Sequence, residues 1–469
     1  MALPRGWRNL ILLSLFLLLL LMVFGGNLPG ANDVGGSSDN SPPATGPNVL
    51  IIVTDDQRAG TLDRMSSVRT LFKKHGVSYP NAFATTPVCC PARASLMSGR
   101  YAHNHGVERF TAYRLDQSTT IQRYLSDKGY RTAYFGKYLN GWMMPHDPPY
   151  FQDWAIFPQT ERSTYVGGKW NVNGTINRPR IYSTRFIEDR AFRFLAETEV
   201  EGDSTPWLMY VSTPAPHEPY APQDKYRQAA VGEWPGNPAV FDDVSDKPFY
   251  IKEGASEPCD LSCGMRVRAR QYRALYSVDD LVGRLFAQLK NLGESRNTLA
   301  FFLSDNGVHW GEFGMEGKRL PYTPSVNIPM LMRWPRKLDA RIDRRLVANI
   351  DIAPTILGAI GRDPRTTEMD GRSLLRRWTR KHLLLEYWGP AVSNWSSIRS
   401  KRFQYIEYQK PGPDRDGVGR EYYDLSTDPW QLTNLLFGRS SLFAPTPDRI
   451  ERLARLLSHA RTCRGHDCP

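Results

Sequence analysis

A doubly wound α/β domain with a mostly parallel central sheet, followed by a small antiparallel subdomain with a terminal helix, is the fold this sequence predicts. Two observations predict it. Short β-branched or aromatic runs recur at residues 49–53, 132–135, 207–211, 299–303 and 328–332, each ending in a polar cluster. Their uninterrupted hydrophobicity marks strands buried on both faces, and hence a largely parallel sheet. Helical patterns lie between them, the clearest over residues 270–292, where Leu275, Val278, Leu281, Val282, Leu285 and Leu289 fall at helical spacing. Alternating strands and helices build a doubly wound sheet, and such sheets collect ligands beyond the carboxyl ends of their strands.

After about residue 375 the texture changes to strand-like pieces at 383–388, 403–408 and 421–425, then a helical stretch at 446–461. These predict the antiparallel subdomain. The expected division is a leader and linker over 1–46, a catalytic domain over 47–375 and the subdomain over 376–469. Two long loops rich in aromatic residues and proline, 142–170 and 214–258, are expected to wall a cleft. No fixed-period repeat is present, which excludes solenoids and propellers.

The leader carries Arg5 and Arg8 ahead of an apolar run over residues 10–24 in which Ser14 is the polar residue. That run is shorter than the ~20 residues a membrane-spanning helix needs, and it matches a secretory signal, with a retained signal-anchor as the rival reading. Either way the protein is expected outside the cytoplasm: secreted, extracytoplasmic or tethered to the outer face of a membrane. Six cysteines fall into three local pairs. In an exported chain, Cys259 with Cys263 and Cys463 with Cys468 are expected to close small disulfide loops. Asn173 and Asn394 stand in glycosylation sequons, meaningful only in a eukaryotic secretory pathway.

The 469 residues are 41% hydrophobic and 23% charged, a globular composition rather than a disordered or collagenous one. The net charge of +12 suits an anionic partner such as sulfated glycan, nucleic acid or lipid headgroup. The excess concentrates in residues 333–381, where thirteen Lys and Arg face six Asp and Glu. Pro335, Pro354 and Pro364 break any continuous basic helix there, and no recognised nucleic-acid module is present, so a nucleic-acid partner is not expected.

Asp55 and Asp56 directly follow the first strand, and Asp305 and Asn306 follow another. Either pair alone is common turn sequence. At equivalent ends of two buried strands they form an all-oxygen set suited to Ca²⁺ or Mg²⁺.

The segment Cys89-Cys90-Pro91-Ala92-Arg93, continuing to Gly99-Arg100, resembles the sulfatase signature CxPxR with its following helix and Gly-Arg turn. Gly136-Lys137 resembles the family's second signature, and Ser304-Asp305-Asn306-Gly307 its last metal pair. The wording is similar to that of N-acetylglucosamine-6-sulfatases and of bacterial arylsulfatase-like proteins. The resemblance implies an alkaline-phosphatase-like fold and a formylglycine made from Cys89 by a formylglycine-generating enzyme. It further implies a metal held by Asp55, Asp56, Asp305, Asn306 and the modified Cys89. Arg93 would steady the hydrated aldehyde, Lys137 and Lys318 would grip sulfate oxygens, and His217 would act as, or assist, the general acid toward the leaving oxygen. One hydroxyl of the hydrate would attack sulfur and the other would then expel sulfate.

The implied substrate is a sulfated sugar such as glucosamine 6-sulfate, or an aryl sulfate. Two alternatives stay open: a phosphonate monoesterase or phosphodiesterase of the same superfamily, and a non-catalytic sulfated-glycan-binding protein. One departure stands out. Many sulfatases place a histidine two residues after the signature lysine, but here that position is Leu139, followed by Asn140. The base for sulfate release is therefore unassigned, with His309 the candidate. His103 and His105 read as structural hydrogen-bonders and Cys90 as a small packed side chain.

Overall fold

The computed structural model describes residues 46–158, 165–198, 204–252, 258–409, 419–438 and 444–469. The leader, and residues 159–164 and 253–257 of the two long loops, lie outside them.

The main sheet has ten strands: β1 (Asn48–Thr54), β2 (Val77–Ser78), β3 (Arg131–Lys137), β4 (Asp153–Phe157), β5 (Trp170–Val172), β6 (Thr175–Asn177), β7 (Trp207–Ser212), β8 (Thr298–Ser304), β9 (Met330–Arg333) and β10 (Arg341–Ile342). Their order is β10-β2-β9-β8-β1-β7-β3-β4-β5-β6. The five central strands, β8 to β4, are parallel. As the uninterrupted hydrophobicity requires, β1 is buried along its whole length. Val49, Ile51 and Val53 enter one core, while Leu50 and Ile52 enter the other. The first core is roofed by α1 (Cys89–Ser98) and by α4 (Ile352–Ala359), which brings Ile352 and Ile356. The second is covered by α2 (Ser183–Thr198) and α3 (Leu261–Asn291).

The structure departs from the sequence reading at four places. The run at 328–332 forms β9 over Met330–Arg333, antiparallel to β8. The chain leaves β8 at the sheet edge that carries Asp305 and re-enters at that same edge without a crossover, so it must run back. Loop 142–170 contains β4, which extends the parallel sheet beside β3. Helix α3 starts nine residues before the apolar repeat, at Leu261, because the Asp260 carboxylate caps it by accepting from the Cys263 amide at 2.8 Å. Finally, a strand over Asn394–Arg399 joins the subdomain where the sequence offers only a sequon.

The subdomain is a four-stranded antiparallel sheet of β11 (Leu383–Tyr387), β12 (Asn394–Arg399), β13 (Phe403–Gln409) and β14 (Arg420–Asp424). Helix α5 (Pro447–Ala460), capped by Thr446, packs Leu453 and Leu457 into the same apolar cluster as Trp395, Tyr405 and Tyr423. That cluster also takes Tyr101, Phe313 and Tyr322 from the main domain. Disulfides close Cys259–Cys263 and Cys463–Cys468. Among the described residues no helix is long and apolar enough to cross a membrane.

Asp351 ties the basic segment to the core. Its two oxygens accept from Arg380 at 2.7 and 2.8 Å, both side chains being buried. They also accept the amides of Ala348 and Arg372. Removing one member of such a pair strands the other charge. Asp351→Ala is therefore expected to cost about 3–5 kcal/mol, read as a lower denaturant midpoint at unchanged slope, whereas Arg365→Ala at a surface pair leaves the midpoint in place.

Candidate active site

The site forms where β1, β3, β7 and β8 end and α1 begins. The β1 ladder runs in register with β8, Thr54 facing Ser304, so Asp55 and Asp305 emerge side by side. Asp56 adopts a left-handed backbone, φ 66°, a conformation uncommon in a non-glycine residue that aspartate tolerates better than most. Its amide donates to Asp305 Oδ1 at 3.1 Å, and Asn306 Nδ2 donates to Asp56 Oδ1 at 2.6 Å.

Cys89 is the first residue of α1, and all ten residues of that helix are buried. The helix ends at Gly99, φ 68°. Its N-terminus, the positive end of the helix dipole, thus meets the carboxylates at Cys89. Cys89 Sγ lies 3.3 Å from Asp55 Oδ1. Ligand atoms of Asp55, Asp56, Cys89 and His217 all lie within 4.8 Å of one another.

Three cations surround this group. Lys137, the last residue of β3, donates to Asp55 Oδ2 at 2.5 Å and is fully buried. It is aimed by Gly136, where a Cβ would stand 1.8 Å from the Ser212 carbonyl oxygen, so only glycine lets β3 and β7 approach this closely. Lys318 donates to Asp56 Oδ1 and, at 2.7 Å, to Cys89 Sγ. Arg93, one turn along α1 from Cys89, donates to Asp305 Oδ2 at 2.9 Å, to the Lys137 carbonyl at 2.9 Å and to Ser212 Oγ. His217 Nδ1 pairs with the Glu218 carbonyl at 2.7 Å, which turns Nε2 toward Asp56 Oδ2, 3.6 Å away.

Burial opposes ionisation of Asp55, but Lys137 and His217 outweigh it and hold the carboxyl at about 2. Burial likewise resists charge on Asp56, and Lys318 with His217 carries it below the ordinary range. Burial, reinforced by Asp55, pushes the Cys89 thiol far above its usual value. An unmodified Cys89 is thus a protonated, weakly nucleophilic thiol.

The nine residues expected to bind metal or sulfate or to act in catalysis are in this one assembly, whereas His309, the candidate base, is not among their partners. Sequence reading missed Ser212 and Gln271. Ser212 ends β7 and bridges Arg93 to the Lys137 carbonyl. Gln271 reaches from α3 to the backbone oxygens of Asp56 and Pro216. Ser212 carried the same signal as the aspartates, a polar residue closing a buried strand. Gln271 carried none, since it stands among polar helix residues. His309 lies in a short hairpin, its Nδ1 against the Gly317 carbonyl and its ring beside Phe313 and Tyr322, and burial draws it down to about 4. His103 binds Glu386 and the Cys463 carbonyl, and His105 binds Ser95, so both are structural. Cys90 is buried and donates to the Asn140 carbonyl.

The family model described as Sulfatase matches residues 47–362. The chain belongs to the sulfatase family. A model described as N-sulphoglucosamine sulphohydrolase, C-terminal, matches residues 311–451. Named relatives share much of this chain. An N-acetylglucosamine-6-sulfatase of Homo sapiens is 29% identical over 96% of this chain and 89% of its own length. An extracellular sulfatase SULF-1 homolog of Drosophila melanogaster is 32% identical over 72% of this chain, which spans 32% of that relative's length. A solved structure described in complex with its substrate D-glucosamine-2-N,6-O-disulfate superposes with a TM-score of 0.76 at 21% identity, covering 88% of this chain and 97% of that one. At that identity the likeness shows the fold.

Proposed function

We propose that this chain hydrolyses sulfate monoesters of glycans, with 6-O-sulfated glucosamine as the substrate class. The observation that carries this reading is the convergence of Cys89, three carboxylates, Asn306, Lys137 and Lys318 at the N-terminus of one buried helix. A binding module has no use for an oxygen cage beside a buried cysteine. The relatives' names, and the sulfated glucosamine of the structural neighbour, support the glycan as substrate.

Asp55, Asp56, Asp305 and Asn306 fit a divalent cation, Ca²⁺ or Mg²⁺. They supply hard oxygens, and Asn306 Oδ1 is buried with no hydrogen-bond partner among the described residues. Such an ion, when bound, polarises a sulfate oxygen and favours the ionised nucleophile. Formylglycine, made from Cys89 by a formylglycine-generating enzyme, supplies as its hydrate the hydroxyl nucleophile that the protonated thiol cannot.

The remaining work falls to the chain's own side chains. The Lys137 and Lys318 ammonium groups, now on Asp55 and Asp56, bind oxygens of the incoming sulfate and offset the charge that builds on them. Arg93 is locked by Asp305, Ser212 and the Lys137 carbonyl, so it orients residue 89 without moving. His217, fixed through Nδ1, presents Nε2 as the proton donor to the departing sugar oxygen. Among the described residues His309 makes no hydrogen bond or ion pair with these groups, and we give it no role in sulfate release. The leader's pattern, the two disulfides and the fly relative's extracellular name support export, with cleavage or anchoring of the leader both compatible with it.

The test is a substrate panel. Glucosamine 6-sulfate is expected to be turned over with higher kcat/KM than nitrocatechol sulfate, and nitrophenyl sulfate faster than its phenylphosphonate counterpart. Preference for the phosphonate would move the protein to the phosphonate monoesterase reading. Absence of turnover with every ester would leave a binding protein.

A further inference from the structure

The basic segment that stands out in the sequence folds into a site of its own. An open cleft of about 810 Å³ is lined by Arg341, Arg345, Arg376, Arg377 and Trp378, with Asp343 as its one acidic residue. That carboxylate is already taken, because Arg345 binds it through Nε and Nη2 at 2.6–3.0 Å. Arg345 is further pinned by the carbonyls of Leu374 and Arg376, and it lies 4.7 Å from the centre of the Trp378 ring. The other three guanidinium groups are exposed and weakly engaged. Arg341 reaches the Asp339 carbonyl at 3.5 Å, Arg376 lies 4.0 Å from an Asp363 that Arg365 already binds, and Arg377 has no partner among the described residues. Four arginines set around one neutralised carboxylate leave a standing positive potential in a concave surface, where field lines concentrate. Guanidinium forks match the planar and tetrahedral oxyanions of carboxylate and sulfate better than ammonium groups do.

The position of the cleft says what length of ligand it serves. Arg341 and Ile342 form β10, which runs in the same direction as β8, since β10 is parallel to β2 and two antiparallel steps separate β2 from β8. The chain therefore leaves β10 at the sheet edge where Asp305 leaves β8. Three strand spacings, about 14 Å, separate the two strands. A monosaccharide cannot reach both places, whereas a chain of several sugars can.

We propose that this arginine cleft is a second binding site for sulfated polysaccharide, holding the polymer while one of its sulfated units occupies the catalytic cage. The proposal rests on the glycan reading for its choice of ligand, but binding is measured without turnover. The probe is a fluorescent heparin oligosaccharide titrated into the whole protein at low and raised salt. Arg376→Ser/Arg377→Ser is compared with Lys128→Ser/Lys290→Ser, which removes the same charge from exposed positions elsewhere. The cleft variant is expected to lose about tenfold or more in affinity and most of its salt dependence, while the control changes less than about threefold. Its kcat/KM for glucosamine 6-sulfate should stay at the wild-type value and fall only on the oligosaccharide. Equal loss in the control, tight binding of duplex DNA lost in parallel with heparin, or no heparin binding by the wild type would each overturn the proposal. Failure of the catalytic reading shows separately, as absent turnover of glucosamine 6-sulfate by a protein that still binds heparin.

Discussion

Cys89→Ala is expected to lower sulfate ester hydrolysis by about 10⁴-fold or more, the largest effect of any single change in this protein. The group that would form the covalent intermediate is lost, and nothing nearby can replace it. Cys89 is the first residue of α1, where the helix N-terminus, Lys318 and the Asp55 carboxylate all meet. Cys90 is its control. That thiol faces the Asn140 carbonyl instead, and Cys90→Ser keeps a donor of similar size for this contact, so most activity should survive. A dead Cys90→Ser beside an active Cys89→Ala would reverse the assignment. Production without a formylglycine-generating enzyme should give folded protein with activity as low as that of Cys89→Ala.

The second large effect is expected at Asp305. One oxygen accepts the amides of Asp56 and Asn306, and the other holds Arg93 at 2.9 Å. Asp305→Ala therefore takes away a proposed metal ligand, frees the turn at Asp56 and leaves a buried guanidinium without its counter-ion. Activity should fall by about 10³-fold, and calcium bound per chain, measured by elemental analysis, should drop toward zero. The same change also lowers stability, so Asn306→Asp provides the comparison. It keeps an oxygen donor at the site, and both metal content and activity should decline less. Full metal occupancy in Asp305→Ala would remove Asp305 from the ligand set.

Much of this site was legible in the sequence for a physical reason. A polar residue that ends an uninterrupted apolar run must sit at a strand end, and in a parallel sheet all such ends lie on one edge. Asp55, Asp56, Asp305 and Asn306 were found in that way, and the family resemblance added Lys137 and the CxPxR helix that faces them. Gln271 was invisible because it reaches the site from the flank of a long helix, where one polar residue among many carries no signal. The fold showed the same division. Strands buried on both faces were found within a residue or two at each end. The direction of β9 was not, since apolar composition reports burial and is silent on polarity. Strand β4 lay within a loop-like stretch of aromatic residues and prolines, and β12 began on a polar sequon whose Asn394 bonds the Gly389 amide.

Whether residue 89 acts as formylglycine is read directly by mass spectrometry of the proteolytic peptide spanning Val88 to Arg93. The protein should be purified from cells that contain a formylglycine-generating enzyme and assayed on glucosamine 6-sulfate before digestion. The peptide is expected to carry an aldehyde in place of the Cys89 thiol, to be labelled by an aldehyde-reactive hydrazide, and to be labelled to a fraction that tracks specific activity across preparations. A preparation in full turnover whose peptide holds an unmodified thiol at Cys89 would contradict this expectation.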